Sequence, residues 1–286
     1  MIESSIKKAD ILIEALPYIR AFRGKVMVIK YGGSAMGEDQ LLANILEDLV
    51  FLHYVGVWPI LVHGGGPVIT ARLKARGVKT LFIHGQRVTD ADTMAVVEET
   101  LHEINGALVR RLRALGGEAV GAREFGTTGV LHAKPHPGSA HLGFVGDVSQ
   151  VTTGKLLKYL RQGRIPIVAP VGVGRNRRRY NINADHVACA VAGALKAEKL
   201  VLLTNVRGIL GRPDDPQSLI PTLSSGEVPA LIERQVISGG MIPKVQACVN
   251  ALKSGVKKAH IVDTKVPHAL LLEIFTKQGI GTEIVR

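Results

Sequence analysis

Val26-Met27-Val28-Ile29-Lys30-Tyr31-Gly32-Gly33-Ser34 is a short apolar run that ends on a lysine and opens into two glycines. Residues 26–30 are too few for a helix and too apolar for a surface loop, so they read as a buried strand feeding a tight turn. The pattern returns at residues 59–62, which run into His63-Gly64-Gly65-Gly66-Pro67. Further strands are expected at 165–169, 200–203 and 259–262, with helical patterns at 40–55, 91–115, 184–195, 243–253 and 268–275. Such alternation belongs to an α/β chain with an open, largely parallel sheet. Residues 129–148, short and broken by Pro and Gly, read as a hairpin insertion, and the basic run 174–179 marks a boundary between two halves.

Two glycine loops, each directly after a strand, suit an anion. Backbone N–H groups can approach it with no Cβ in the way, and the helix start that follows favours negative charge. Pro67 fits the first helical position, where its missing N–H costs nothing. The lysine closing the first strand makes phosphate the favoured anion. Neither loop is a Walker P-loop, because no G-x-x-x-x-G-K-[ST] occurs. No G-x-G-x-x-G follows a strand, which argues against a dinucleotide. His63-Gly64-Gly65-Gly66 also matches an esterase oxyanion loop, but the nucleophile elbow is missing: Met36 stands where its second glycine belongs.

The 286 residues carry 36 Lys+Arg against 24 Asp+Glu, a net charge of +12. That excess suits either nucleic acid or an enzyme for anionic substrates. Aromatics at 4% argue against a base-stacking surface and favour the second. Cys189 and Cys248 lie in apolar helical contexts and read as small buried hydrophobes in a reducing compartment. No run approaches the ~18 apolar residues of a membrane span, and residues 1–10 lack the apolar core of a secretory signal. A cytoplasmic location is expected, and no metal set among the histidines and cysteines.

Three polar segments stand out. Arg87-Val88-Thr89-Asp90 precedes a long helix, with Thr89 or Asp90 as its cap, and Arg87 can fork onto a carboxylate. In Tyr180-Asn181-Ile182-Asn183-Ala184-Asp185, the residues Asn181, Asn183 and Asp185 alternate and would share one side of an extended segment. Ser238-Gly239-Gly240-Met241-Ile242-Pro243-Lys244 joins a glycine turn to a helix start. A cation there opposes the helix dipole and implies a bound anion that offsets it. The densest positive cluster, Arg175-Asn176-Arg177-Arg178-Arg179, reads by default as a solvated loop.

In this order, Val28-Ile29-Lys30-Tyr31-Gly32-Gly33, the His63 loop, the Arg87 segment, Gly143-Phe144-Val145-Gly146, the Asn181 segment and the Lys244 segment resemble the amino acid kinase family. Together with Pro267-His268-Ala269-Leu270-Leu271-Leu272-Glu273, they are most similar to its branch acting on N-acetyl-L-glutamate. The resemblance implies an open αβα sandwich around a mainly parallel central sheet. It implies an N-terminal arm at 1–23, an acceptor-binding lobe at 24–178 and an ATP-binding lobe at 179–286. The reaction implied is phosphoryl transfer from ATP, with Mg2+ carried mainly on its phosphates, to the side-chain carboxylate of N-acetyl-L-glutamate in arginine biosynthesis. A carboxylate is already ionised at neutral pH, so the absence of a general-base constellation fits.

By the same resemblance Lys30 and Lys244 neutralise the moving phosphoryl group and Asp185 orients them. Gly65, Gly66, Arg87, Asn181 and Asn183 hold the acceptor. Gly32, Gly33, Gly64, Thr204, Gly208 and Met241 serve the phosphates and nucleotide. Asn205 departs from the aspartate usual in the family, and the loop before Tyr180 is unusually rich in arginine.

Ile6, Ala9, Ile13, Leu16 and Ile19 recur at helical spacing ahead of the first core strand, and Pro17 predicts a kink or break near Leu16. From periodicity alone this helix packs on its own domain. The resemblance instead implies an oligomerisation arm of a dimer or hexamer, feedback inhibition by arginine near Lys199, His268, Glu273 and Gly279, and a PII-type signalling protein as an optional partner. Two alternatives stay open: the same chemistry on N-acetyl-2-aminoadipate, one methylene longer, and a basic nucleic-acid-binding regulator, which would show steep salt dependence and no ATP turnover.

Overall fold

The computed structural model describes residues 2–32, 39–83, 85–212 and 215–286. Gly33 and Met36 lie outside the described residues. The first half runs α1 (Ile2–Phe22), β1 (Val26–Tyr31), α2 (Asp39–Tyr54), β2 (Trp58–His63), α3 (Gly66–Ala75), β3 (Phe82–Ile83), β4 (Gln86–Arg87), α4 (Ala91–Ala114) and β5 (Ala119–Val120). It continues through α5 (Ala122–Phe125), β6 (Leu131–Pro135), α6 (Ser139–Leu142), β7 (Gly146–Val151), α7 (Thr153–Arg161), β8 (Ile165–Val168), β9 (Val171–Val173) and β10 (Arg179–Asn181). The second half holds α8 (Ala184–Ala194), β11 (Lys199–Thr204), β12 (Thr222–Ser224), α9 (Val228–Glu233), α10 (Met241–Lys253), β13 (Lys258–Asp263), α11 (Ala269–Phe275) and β14 (Thr282–Val285).

One eight-stranded sheet, in the order β12-β14-β13-β11-β1-β2-β8-β5, runs through both halves. Every neighbouring pair is parallel except β13 with β14. Period-two alternation decides what each face buries. Met27, Ile29 and Tyr31 of β1 pack with Leu61, Val201 and Leu203 under α2 and α11. Val28 joins Ile60, Val62, Leu200 and Leu202 under α8 and α10. Both faces are covered, which is why these strands are nearly continuous hydrophobic runs and why the expected αβα sandwich forms.

The sheet grows from β1 in both directions, with β2 on one side and β11 on the other. In such sheets the crevice beyond the carboxyl ends of the diverging strands is where ligands bind. The loops after β1, β2 and β11 all open there. Above them lie two smaller layers: a four-stranded sheet, β10-β9-β6-β7, and the β3–β4 hairpin. The expected hairpin insertion is the antiparallel β6–β7 pair, and the basic run is the turn of the β9–β10 hairpin.

Three local expectations are refined. Asp90, not Thr89, caps α4, accepting from Thr93 N at 2.8 Å. Thr89 is buried and donates to the Arg87 carbonyl at 2.7 Å. The helix α1 runs through Pro17 without a break. Proline frees the carbonyl of Ile13 from its helical bond, but Ile13 is exposed, so water can take that bond. Only the last turns of α1 pack on the body, through Ala15, Tyr18, Ile19 and Phe22. Ile6, Ile13 and Leu16 of the expected stripe are exposed, with Ile11 and Leu12 beside them.

Candidate active site

Lys30 ends β1, Asp185 lies in the first turn of α8, and Lys244 lies in the first turn of α10. Their heads meet at the crevice: Lys30 Nζ is 2.9 Å from Asp185 Oδ1, and Lys244 Nζ is 2.9 Å from Asp185 Oδ2. Asn183 makes this possible. It caps α8 by accepting from Asp185 N at 2.8 Å and His186 N at 3.3 Å, which fixes the helix start and aims Asp185. Burial by itself would raise the Asp185 carboxyl, but the two ammonium groups outweigh it and hold the acid below the ordinary aspartate value. Burial pushes the Lys30 ammonium down, with Asp185 opposing and Lys244 adding to it. The helix-start lysine is thus offset by a carboxylate of the chain itself, where the sequence suggests a bound anion.

The two glycine loops touch. Gly64 N donates to the Tyr31 carbonyl at 2.7 Å, and a Cβ on Gly32 would stand 3.1 Å from Gly64 Cα. A Cβ on Gly65 would stand 2.6 Å from Leu101 Cδ2, whereas one on Gly66 would meet nothing within 4 Å. A pocket of about 210 Å³ opens in front of these loops, lined among others by Lys30, Gly64, Arg87, Asn181, Asn183 and Asp185. The alternating Asn181, Asn183 and Asp185 thus all reach it.

Arg87 is the second cation of this pocket. Its Nη2 donates to the Gly66 carbonyl at 3.0 Å and to Thr70 Oγ1 at 2.8 Å, and its guanidinium lies 4.8 Å over the Phe82 ring. Nη1 is buried with no acceptor among the described residues. Burial pushes its pKa down, yet a guanidinium stays charged. A buried cationic donor left open at the wall of a pocket is a seat for a carboxylate. Asn181 Nδ2 donates to Thr89 Oγ1 at 3.2 Å, tying the opposite wall to the Arg87 segment.

On the other side, Gly208 lines a cavity of about 760 Å³ beyond the ends of β11 and β13, with Asn205, Asp263 and Lys265. Thr204 is buried and its carbonyl accepts from Thr264 N at 2.8 Å; Met241 sits at the start of α10. Neither Thr204 nor Met241 lines that cavity.

The amino acid kinase family model matches residues 25–263, which includes both lysines, the acid between them and both glycine loops. The chain belongs to the amino acid kinase family. Acetylglutamate kinase of Moorella thermoacetica is 50% identical over 294 residues, covering 99% of this chain and 98% of that one. Acetylglutamate kinase of Syntrophomonas wolfei is 48% identical over 287 residues, covering 100% of this chain and 99% of that one. Among solved structures, N-acetylglutamate synthase from Neisseria gonorrhoeae, complexed with coenzyme A and N-acetyl-glutamate, aligns with a TM-score of 0.84 at 29% identity. That match covers 97% of this chain but 63% of the synthase, so the chain spans less than two thirds of its length. Carbamate kinase from Giardia lamblia bound to AMP-PNP shares the fold, with a TM-score of 0.66 at 18% identity over 92% of this chain and 98% of that one.

This amino acid kinase keeps a second buried ionic cluster under α11. Lys199 Nζ lies 2.9 Å from His260 Nε2 and 5.3 Å over the Phe22 ring of the N-terminal helix. Glu273 holds His260 Nδ1 at 2.7 Å and accepts from the N–H groups of Ile280 at 2.7 Å and Gly281 at 3.0 Å. Gly279 closes the ring: a Cβ there would stand 2.5 Å from Glu273 Oε2. Lys199, Glu273 and Gly279 come together here, and His268, one residue before α11, pairs with Asp48 of α2 at 2.7 Å.

Several polar residues escaped the sequence reading. His260 and Glu283 complete the second cluster; His260 lies on a strand that reads simply as apolar, and Glu283 on a short C-terminal strand that the sequence reading did not mark. The β3–β4 hairpin, with Phe82 and Gln86 at the acceptor pocket, was signalled by Gly85 in a short polar turn. His132 and His136 stand four residues apart, yet their rings engage Thr152 and Gln86 separately. Among the described residues no cluster of three or more metal-ligating side chains occurs, and no described helix is long and apolar enough to cross a membrane. Cys248 is buried and Cys189 half-buried; burial pushes the Cys189 thiol up to about 11.

Proposed function

We propose that this chain transfers the γ-phosphoryl group of MgATP to the side-chain carboxylate of N-acetyl-L-glutamate, giving N-acetylglutamyl 5-phosphate. The observation that carries the reading is the pairing, in one pocket, of the open Arg87 guanidinium with Lys30 and Asp185, behind which Lys244 binds the same carboxylate. One end of a dicarboxylate can fork onto Arg87 while the other meets the two lysines. Relatives about half identical over their full length are acetylglutamate kinases.

The acceptor carboxylate is its own nucleophile. What remains is alignment and charge stabilisation. Lys30 and Lys244 approach the moving phosphoryl from two sides, and Asp185 keeps them apart and in place. The N–H group of Gly65 adds an uncharged donor. Asn181, Asn183 and Gly66 frame the acceptor. The nucleotide reaches in from the cavity lined by Gly208, with Thr204 and Met241 at its approach. Both Asp185 oxygens are taken by lysines, so these residues leave a magnesium ion to be held through the ATP phosphates, where it would supply further charge neutralisation.

In this reading residues 24–178 carry the acceptor and 179–286 the nucleotide, with residues 1–23 as an arm between copies of the chain. Arginine would sit near Lys199, His268, Glu273 and Gly279, with Glu273 holding its guanidinium. Rates measured against arginine concentration test this part: a flat curve removes it.

The main test is acyl-phosphate trapping with hydroxylamine, using ATP and a panel of N-acetyl-L-glutamate, N-acetyl-2-aminoadipate, glutamate and carbamate. The largest kcat/KM on N-acetyl-L-glutamate is expected. Lys30→Ala and Lys244→Ala should each lower kcat by ~10²–10³. Near-normal turnover in both variants, or preference for another acceptor, overturns the reading.

A further inference from the structure

The basic run has no place in the reaction above, yet it borders the roomiest concavity near the acceptor pocket. Between the start of α4, the β6–β7 strands and the β9–β10 turn lies a cavity of about 1320 Å³. Its floor is apolar, with Met94 and Ala95 of α4 and Phe144. Its rim carries Lys134, Arg175, Arg178 and Arg179.

These cations are not a loose loop. Gly174 N donates to the Arg178 carbonyl at 2.7 Å and Arg178 N to the Arg175 carbonyl at 3.2 Å, which closes the turn tightly. Arg179 is neutralised by Glu98 at 3.3 Å. Arg178 is stacked 5.5 Å over the Phe144 ring. Among the described residues, no carboxylate pairs with Lys134, Arg175 or Arg178. Three unneutralised cations held around one concavity repel each other and focus a positive field into it. A ligand bearing several negative oxygens close together relieves that repulsion, and guanidinium forks match phosphate oxygens in geometry.

The groove is wired to the acceptor pocket. Phe144, under Arg178, donates its N–H to the Thr89 carbonyl at 2.6 Å and accepts from Asn181 N at 2.9 Å. Asn181 and the Arg87–Thr89 segment line or brace the acceptor pocket. A load on Arg178 therefore reaches the acceptor contacts through one ring and two backbone hydrogen bonds.

We propose that this groove is a regulatory site for a linear polyphosphate, free or carried by a nucleotide, distinct from the catalytic phosphate site. Its occupancy changes acceptor affinity through Arg178 and Phe144.

The test is calorimetric titration of the full chain with inorganic tripolyphosphate, and in a second arm with UTP, near physiological ionic strength. The wild type should show a class of sites that weakens at least about tenfold in Arg175→Gln/Lys134→Gln, with melting behaviour and basal acceptor KM unchanged. At saturating MgATP and fixed free magnesium, tripolyphosphate should shift the wild-type acceptor KM by about fivefold, a usual size for coupling between sites, and leave the variant unmoved. Tripolyphosphate acting and UTP not acting assigns the free polyanion; UTP binding tighter assigns the nucleotide form. Equal affinity in wild type and variant overturns the proposal. So does binding of a single-stranded oligonucleotide to this rim that tripolyphosphate does not displace, which would assign the groove to nucleic acid.

Discussion

Asn105 Nδ2 lies 3.2 Å from His63 Nε2, and this contact fixes the protonation of the ring beside the second glycine loop. His63 Nδ1 is 2.8 Å from the Gly64 carbonyl, which can only accept, so the proton sits on Nδ1 and Nε2 accepts from the amide. Asn105 is fully used: Nδ2 also donates to the Ile167 carbonyl at 2.9 Å and Oδ1 accepts from Ala122 N at 2.7 Å. Because the peptide is planar and trans, a Gly64 carbonyl held on His63 turns the Gly65 N–H the other way. No acceptor pairs with that N–H among the described residues, and Gly65 lines the acceptor pocket. In the proposed reaction the neutral histidine is thus a positioning group for the Gly65 N–H as a phosphoryl-oxygen donor.

Complete burial pushes His63 down to about 4 from 6.5, against the opposing Gly64 hydrogen bond. The unfolded chain takes its proton near the upper value and the folded chain near the lower, so between them the unfolded state binds more protons and stability falls as pH falls. The contribution lost between pH 7 and pH 5 is roughly 2 kcal/mol. Urea unfolding of the wild type and His63→Gln at both pH values should show the variant losing that much less. Gln can still donate to Gly64 and accept from Asn105, so it should keep most turnover, while His63→Leu should lower kcat by about 10²-fold. Parallel stability losses in wild type and His63→Gln would remove the assignment.

Arg87→Lys separates binding from chemistry. A single ammonium cannot hold the Gly66 carbonyl and Thr70 hydroxyl and still fork onto a ligand. Losing one charge-assisted contact should raise the KM for the acceptor by roughly 10–10²-fold, with the KM for ATP unchanged. A rise in both constants, or in ATP alone, would place Arg87 elsewhere in the reaction.

How far the sequence carried can be argued from these residues. β1, β2 and β11 were legible because strands buried on both faces leave continuous apolar runs, and the glycine loops were legible because backbone approach to an anion leaves glycine little competition. Asn181, Asn183 and Asp185 were legible through alternation. His63 and Asn105 were not: they are 42 residues apart and meet only when α4 packs beside β8, the neighbour of β2. The contact of His268 with Asp48 was not legible for a like reason, since the two are 220 residues apart. Side-chain pairs set by long-range topology leave no local period to read.

The free part of α1 makes a prediction about assembly. Ile11, Leu12 and Ile13 are 65%, 67% and 68% exposed, although each is a large aliphatic side chain. In the proposed reading this stretch is the surface that joins copies of the chain. Removing residues 1–13 should lower the sedimentation mass of the particle while leaving Tyr18, Ile19 and Phe22 on the core and the melting temperature of the body nearly unchanged. Cutting at residue 23 instead would strip Phe22 from Lys199, so the two truncations should differ in stability. An unchanged mass after the shorter cut would show that α1 does not join copies of the chain.

Gly65 and Leu101 give the most local test of the phosphate loop. Gly65 has an extended φ of −173°, so alanine is not excluded by backbone conformation; what excludes it is the 2.6 Å approach to Leu101 Cδ2, with Ile104 Cδ1 behind it at 3.3 Å. Leu101 is buried and cannot swing into water. Gly65→Ala should therefore displace the loop and its N–H and lower kcat by about 10²-fold, whereas Gly66→Ala, with nothing within 4 Å, should change kcat little. Leu101→Val shortens the clashing side chain by one carbon and costs about 1 kcal/mol of stability by itself. If packing is the cause, combining it with Gly65→Ala should return part of the lost turnover, a positive coupling in the double-mutant cycle. Additive losses would mean instead that residue 65 needs glycine for the ligand's own approach, because the added methyl would then meet the phosphoryl group and not Leu101.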